Sequence, residues 1–239
     1  MILEIVEGVK FGNFDTKEHG WYLVSREAPT PEEKEVLEDI PYLNGVLDFS
    51  EILGERIFKN REITYEFKLP NTAYQDRKLA ERQIKSQLMI QGKNKLFDTH
   101  DARYYWFGKF KSIEVQDDAK KRCLIAKIIF DCYPFMYHEK DFFDDIWDDF
   151  NFESDNSAWT KWRVGGKKVI YFVNNGNTSV SPEVVATSTI TLTDSNDEQY
   201  IFEAGVTKDY VLQLKPGINF FTATGNGEIA LHFRVEVMG

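Results

Sequence analysis

The sequence lacks the residues and motifs on which most catalytic and metal-binding chemistry depends. Its 239 residues include two cysteines and four histidines, and the histidines are dispersed without zinc-ligand spacing. No Walker-type phosphate loop and no Gly-x-Ser-x-Gly motif occurs. We therefore expect no metal, no cofactor and no active site. The many carboxylates leave one alternative open, a small enzyme acting on cell wall.

The two cysteines, Cys123 and Cys132, fall in one predicted strand. Nine residues of extended chain span about 30 Å, so the two thiols cannot form a disulfide with each other. We expect both to behave as small buried hydrophobic residues.

Long apolar runs are also missing, because no stretch approaches the roughly 18 residues of a membrane span. The first residues, Met1 to Glu7, are too short and too acidic for a secretory signal, so we expect a soluble protein made in the cytoplasm. The net charge is −10, with 21 basic and 23 acidic residues in 1–137 and 8 basic and 16 acidic residues in the remainder. An acidic surface repels phosphate and disfavours nucleic-acid binding.

The pattern that is present predicts a mostly β protein with one helix, in two domains. Residues 72–91 have helical spacing, with a capping box at Thr72 and Gln75 and a terminator at Gly92. The apolar stripe expected to pack on a sheet comprises Ala73, Ala80, Ile84 and Leu88. Strands are predicted on both sides of this helix, and one of them, Leu124–Cys132, is apolar on both faces, as expected of a strand that is covered twice. The helix would be one cover, and the second could be a barrel interior or a partner chain.

The second half alternates short β-rich runs with turns. Pro134 is expected to end the last strand of the first domain, and residues 138–149, rich in acids, form the predicted linker. In 150–239 the predicted turns include Lys215–Asn219 and Gly225–Gly227. A period-2 run then places Ile229, Leu231, Phe233, Val235 and Val237 on one face. This spacing indicates a β-sandwich.

One stretch, residues 39–61, does not fit either pattern. It contains an Ile-Pro step at Ile40–Pro41 and an Asn44–Gly45 turn signal, yet it is dense in apolar side chains. A long, partly apolar loop in a β-rich domain is either folded back on its own core or used as an interaction surface. From the residues alone, both interpretations stay open.

These residues resemble the distal tail protein family of long-tailed bacteriophages. The resemblance lies in Asp39-Ile-Pro, in Asn44-Gly-Val-Leu-Asp48, and in Lys59-Asn-Arg61 before a strand. It extends to Phe130-Asp-Cys-Tyr-Pro-Phe135, where the family ends its first domain, and to Leu214-Lys-Pro-Gly-Ile-Asn-Phe in a galectin-like second domain. The family commonly has Gly-Arg after the Pro, where this chain has Tyr42-Leu43.

The resemblance implies a structural virion protein with no catalytic activity. It implies an N-terminal split β-barrel-like domain over 1–137 with an arm at 39–61, and a C-terminal galectin-like sandwich. Copies would form a ring, hexameric as in the family, that joins the tail tube to the tail tip or baseplate. DNA would pass through its lumen without specific binding. The implied neighbours are the tail tube protein, the tape measure protein and the tail-tip protein.

The arm would provide the anchors of the contact with the next subunit. Its expected interface residues are Ile40, Pro41, Val46, Leu47, Phe49, Ile52 and Leu53.

The alternative function is a carbohydrate-binding sandwich that contributes to attachment at the host cell wall, with Trp159 and Trp162 as candidate sugar-stacking residues. True galectins read sugar with a His-x-Asn-x-Arg strand, whereas this chain has His232-Phe-Arg234 without the matching Asn.

Overall fold

The computed structural model describes residues 5–52, 54–70, 73–139, 160–208 and 211–239. The chain is mostly β with one α-helix, which confirms the predicted fold class. It divides into two compact units, the first ending at Met136 and including Gly239, the second running from Tyr137 to Met238. The predicted acidic linker at 138–149 lies almost entirely outside the described residues.

The first unit is built on one nearly closed, barrel-like sheet. Its strands lie in the order β2-β1-β7-β8-β9-β6-β3. In the described chain, β4 and β5 pair only with each other. The elements are β1 (Val9–Phe11), β2 (Phe14–Asp15), β3 (Tyr22–Glu27), β4 (Leu37–Glu38), β5 (Leu47–Asp48), β6 (Arg61–Leu69), α1 (Tyr74–Met89), β7 (Asn94–Asp98), β8 (Tyr104–Asp118) and β9 (Cys123–His138).

The core of this unit follows from strict alternation along β6, which lies between β3 and β9. Ile63, Tyr65 and Phe67 point inward and are fully buried, while the residues between them face outward. On β9 the inward positions include Phe130 and Cys132. Both cysteines are free and buried, as expected from their spacing.

Strand β9 continues past Pro134 to His138, so the prediction that this proline ends the strand is wrong. The pairing of β9 with β6 ends at Arg61 opposite Cys132. Pro134 lies beyond that register, and its missing N–H therefore removes no hydrogen bond to β6.

The helix is shorter than predicted and is attached differently. Ala73 occupies the N-cap and makes no capping hydrogen bond through its side chain, so the expected capping box is wrong; Thr72 lies outside the described residues. Ile84 and Leu88 are buried as predicted, but Ala73 is exposed. Its place on the packed face is taken by Arg77, whose Nε donates to Asp117 Oδ1 on β8 at 2.7 Å. The long aliphatic stem of arginine lets a charged residue serve as a packing residue.

The second unit is organised by one long antiparallel ribbon, β10 (Lys161–Asn174) against β15 (Gly217–His232). Fourteen residue pairs form without interruption, from Lys161 opposite Ala230 to Asn174 opposite Gly217. The remaining strands are β11 (Glu183–Ala186), β12 (Ile190–Thr193), β13 (Gln199–Phe202), β14 (Gly205–Lys208) and β16 (Glu236–Val237). On the other side of β15, β11 pairs with its C-terminal half and β12 with its N-terminal half.

The ribbon folds back on itself to make a sandwich. Trp162 Nε1 donates to the Tyr171 carbonyl oxygen at 2.9 Å. An unbent strand would hold these two residues about 30 Å apart, so β10 must turn sharply between them. Gly166 lies there with φ +79°, paired with Gly225, whose φ is +146°. These backbone conformations are open to glycine and disfavoured for other residues.

The prediction of a turn at Gly225–Gly227 is therefore wrong, because the glycines bend a continuous strand. The predicted alternating face of the last run is correct for its core positions. Ile229, Leu231, Phe233 and Val235 are buried and join residues of both ribbon halves in one hydrophobic core.

Candidate subunit-interface arm

The candidate site is the whole excursion between β3 and β6, residues 28–60, which begins before the predicted arm (39–61) and ends before Arg61, the first residue of β6. From here on, the arm means residues 28–60. Its base consists of two antiparallel segments. Lys59 N donates to Glu32 O at 2.8 Å, and Lys34 N donates to Ile57 O at 2.8 Å. The Arg56 guanidinium is hydrogen-bonded to the Glu33 carboxylate across the same pair of segments, and this contact raises the pKa of Arg56.

A buried arginine fixes this base to the barrel. Arg61, the first residue of β6, donates through Nη2 to the Ala28 carbonyl oxygen at 2.9 Å, which joins the two ends of the arm. Its Nη1 donates to the carbonyl oxygens of Pro134 and Gly239. The Arg61 side chain lies against the Trp106 ring, with 5.8 Å from Cζ to the ring centroid.

Arg61 pairs with carbonyl oxygens, and no Asp or Glu side chain pairs with it among the described residues. Burial, followed by the neighbouring Arg26, lowers its pKa below the ordinary arginine value. The Arg61 Nε has no hydrogen-bond partner in the described chain. This arrangement costs free energy, and it is confined to the point where the arm leaves the barrel.

Further out, β4 and β5 form a two-stranded hairpin, with Glu38 opposite Leu47. A network at Ser50 extends it. Ser50 Oγ accepts from the Val36 amide at 2.8 Å, and the Ser50 amide donates to Asp48 Oδ1 at 2.8 Å. These contacts with Ser50 hold the pKa of Asp48 below its ordinary value. The arm thus has its own hydrogen-bonded framework.

The tip between β4 and β5 has two residues with left-handed backbone. Tyr42 has φ +70° and Gly45 has φ +86°. The Leu43 amide donates to Ile40 O at 3.1 Å and closes the turn. Positive φ is costly for tyrosine, and such strain in a native structure clusters at functional positions.

The outer part of the arm, residues 35–52, leaves its apolar side chains in solvent. Of the predicted interface residues, Ile40, Pro41, Val46, Leu47, Phe49 and Ile52 are all exposed, Ile52 to 73%. Leu53 lies outside the described residues. The structure therefore brings six of the seven together on one exposed excursion.

Two apolar residues of the tip were not among the predicted anchors. Tyr42 is fully exposed and Leu43 is half-exposed. They occupy the positions where the family pattern differs. The sequence Pro-Tyr-Leu-Asn-Gly favours a tight turn, and that signal could have identified them as exposed tip residues.

Of the two candidate sugar-stacking tryptophans, the structure describes only Trp162. Trp159 lies outside the described residues. Trp162 is half-buried, with the Lys168 ammonium 5.0 Å from its ring centroid and the Tyr171 ring edge-on at 5.2 Å. Its indole N–H is already engaged by the Tyr171 carbonyl oxygen. Sugar stacking at these residues stays a prediction.

Features of an enzyme are weak in the described chain. A cleft of about 130 Å³ beside Arg26, Asp98 and His100 is small compared with the several hundred Å³ usual for ligand pockets. Asp98 is engaged there by Arg26 Nε at 2.6 Å and by the Tyr65 hydroxyl at 2.9 Å. Among the described residues no metal-binding group of His, Cys, Asp and Glu occurs. No helix in the described part is long and apolar enough to cross a membrane.

Comparison with solved structures identifies the fold. The chain superposes on the crystal structure of the Dit protein (gp 19.1) of phage SPP1, described as a paradigm of the hub adsorption apparatus in phages infecting Gram-positive bacteria. The TM-score is 0.65 at 12% identity, over 96% of this chain and 99% of that one. This chain therefore has the fold of a phage hub protein, and specifically that of a distal tail protein.

Two further similarities are weaker. The phage P2 baseplate in its activated conformation with calcium gives a TM-score of 0.42 at 10% identity, covering 98% of this chain and 99% of that one. The p2 baseplate with strontium gives 0.42 at 9%, covering 95% and 98%. These two scores are too low to support an argument. No protein-family model and none of the curated proteins matches the sequence.

Proposed function

We propose that this chain is a structural virion protein, a distal tail protein whose copies form a hexameric ring between the tail tube and the tail tip or baseplate. The observation that carries the proposal is the arm. Six predicted anchors are solvent-exposed on an excursion that is held in shape by its own hydrogen bonds. The fold shared with the SPP1 Dit protein over nearly the whole of both chains supports the same function.

An ordered apolar arm is costly for an isolated protein. Burying one aliphatic or aromatic side chain contributes about 1.5–3 kcal/mol, so several arm anchors together could contribute on the order of 10 kcal/mol to association. Part of this is offset by lost translational and rotational freedom. A free arm of this composition would collapse or aggregate, whereas contact with another copy covers it.

A ring follows if the arm of each copy contacts a different surface on the next. Such heterologous contacts close into a ring when the rotation between copies permits, and otherwise form open filaments. The number six comes from the family resemblance. In such a ring the protein needs no active site.

Its place in the tail defines the partners. The tail tube protein, the tape measure protein and the tail-tip protein would contact the ring, and DNA would pass through the lumen. The net charge of −10 suits this passage, because an acidic protein does not retain the phosphate backbone. The protein would be made in the cytoplasm of the bacterial host and would act in the virion.

The arm is tested with a triple serine variant, Val46→Ser, Phe49→Ser and Ile52→Ser. The matched control is Val169→Ser, Ile201→Ser and Val206→Ser, because these three residues of the second unit are each 65% exposed. Native mass spectrometry and light scattering report the oligomeric state, and circular dichroism reports folding. We expect the arm variant to be folded and monomeric, and the control to assemble like the parent. An arm variant that still forms the parent oligomer would contradict the proposal.

A further inference from the structure

Helix α1 has an outward face unlike the rest of the surface. Arg77, Ile84 and Leu88 define its packed side. In a chain that is 28% charged, the opposite side carries one charged residue, Arg82, among the uncharged Gln75, Leu79, Gln83, Ser86 and Ile90. Leu79 is half-exposed, Met89 at the edge of this side is 71% exposed, and Ile90 is 82% exposed.

The charges on and next to this face are positive. Arg82 lies within it, and Lys93 follows the end of the helix; both are exposed, and neither has an ion-pair partner in the described chain. The two lysines of the helix are compensated, because Lys78 and Lys85 both contact Glu81, at 3.2 and 2.7 Å. We call Leu79, Arg82, Ser86, Met89, Ile90 and Lys93 the α1 face.

The outer arm has the complementary composition. Residues 35–52 contain five acids and no base. Asp48 is engaged by Ser50, whereas the other four make no ion pair among the described residues, namely Glu35, Glu38, Asp39 and Glu51. These acids are interleaved with the exposed apolar anchors. The arm and the helix of one chain do not cover each other, because both leave their apolar side chains in solvent.

We propose that the α1 face is the acceptor for the arm of a neighbouring copy. This inference rests on the proposed function, and it names the surface that the arm contacts. Apolar anchors would pack on Leu79, Met89 and Ile90, while the arm carboxylates would approach Arg82 and Lys93. Complementary charge at the rim of an apolar contact fixes its register and excludes wrong partners.

A second basic and apolar surface exists on β10 and β15, where Lys167, Val169 and Phe220 are exposed. The helix is the better acceptor for two reasons. It belongs to the same compact unit as the arm, so contacts between first units alone would suffice to close a ring. On β10, moreover, Lys161 is already paired with Glu228 at 2.8 Å.

Cysteine cross-linking tests the assignment directly. Both native thiols are buried, and burial raises the pKa of Cys132 to about 12, so introduced surface cysteines react selectively. Ile52→Cys protein is mixed under mild oxidation with Met89→Cys protein or, as the matched competitor, with Val169→Cys protein. We expect a covalent heterodimer with the first partner only. The doubly substituted chain, Ile52→Cys with Met89→Cys, should give a series of disulfide-linked oligomers, the largest of which contains as many chains as the closed ring.

Charge reversal gives an independent measurement. Arg82→Glu should weaken association roughly fivefold to tenfold, and adding Glu51→Lys should recover part of the loss. Lys127→Glu, the same charge change at an exposed position on β9, serves as the control and should have a smaller effect.

If the protein assembles but Ile52→Cys cross-links to Val169→Cys, or to neither site, the α1 assignment is wrong and the proposed ring is unaffected. If the parent protein stays monomeric at high concentration, both proposals fail.

Discussion

Residues 35–52 of the arm and residues 61–69 of β6 are close in sequence and similar in apolar content, yet their side chains have opposite environments. Strand β6 pairs with β3 on one side and β9 on the other, and its inward residues Ile63, Tyr65 and Phe67 are fully buried. Residues 35–52 pair only with one another within the described chain, and their apolar side chains are in solvent. Apolar content alone therefore does not determine burial. The pairing of the backbone decides which apolar residues form the core and which remain available to a partner.

Two isoleucines test this contrast with the largest expected effect. Ile63 is fully buried on β6, and Ile52 on the arm is 73% exposed. Ile63→Ala should lower the free energy of unfolding by about 2–5 kcal/mol, because it leaves a cavity in the core. Ile52→Ala should change it by less than about 0.5 kcal/mol. Urea denaturation measures both.

Assembly should respond in the opposite order. Ile52→Ala should weaken the oligomer, whereas Ile63→Ala should weaken it only to the extent that unfolded chain accumulates. Equal losses of stability in the two variants would show that the arm packs on its own barrel.

The helix shows the reverse arrangement, because it exposes apolar residues and buries a charged one. Asp117→Ala would leave the buried Arg77 guanidinium without its carboxylate and should cost about 1.5–3 kcal/mol of unfolding free energy. Arg77→Met, which removes the charge and keeps the packing, should be close to neutral. If both variants lose the same stability, the ion pair itself stabilises the helix attachment.

A third test uses alkaline pH and concerns the barrel core, through the buried residue Cys132. Burial raises the pKa of the Cys132 thiol from 9.0 to about 12. Because the folded-state pKa lies above the unfolded one, this stabilisation is complete below pH 9 and is lost as the pH rises toward 12. Stability should fall there by about 1.4 kcal/mol per pH unit from this group.

In the Cys132→Ala variant, the free energy of unfolding should fall less steeply with rising pH, because the thiol no longer titrates. Tyr65, whose pKa is also raised by burial, continues to titrate in both proteins. Urea denaturation at pH 8, 9 and 10 gives the difference. If the free energy of unfolding falls equally with pH in the parent and in Cys132→Ala, the Cys132 thiol is accessible to solvent and the prediction is wrong.

The sequence was sufficient for the fold class, and the physical reasons are local, whereas the interface role of the arm stays a prediction. Period-2 alternation predicted the buried positions of the last run, and the Ile-Pro and Asn-Gly steps predicted an excursion at 39–61. The errors have a different origin. Pro134 and the glycines at 225 and 227 are strong local signals, but the pairing of distant strands overrides them. The role of Arg77 depends on Asp117, 40 residues away, which no local pattern encodes.

The smallest effect is expected at the arm tip, where the backbone itself can be tested. Gly45 has φ +86° with open space around the position of a Cβ, so Gly45→Ala should add about 1–2 kcal/mol of purely local strain. Tyr42→Gly, at φ +70°, should relieve comparable strain. Because the tip pairs with nothing in the barrel, local opening absorbs either change, and the global free energy of unfolding should move by less than about 0.5 kcal/mol. Amide exchange should show the difference at Leu43, whose N–H donates to Ile40 O, with faster exchange in Gly45→Ala and slower exchange in Tyr42→Gly. A fall in global stability on Gly45→Ala beyond that limit would mean that arm and barrel unfold as one unit, and the separation drawn between the arm and β6 would not hold.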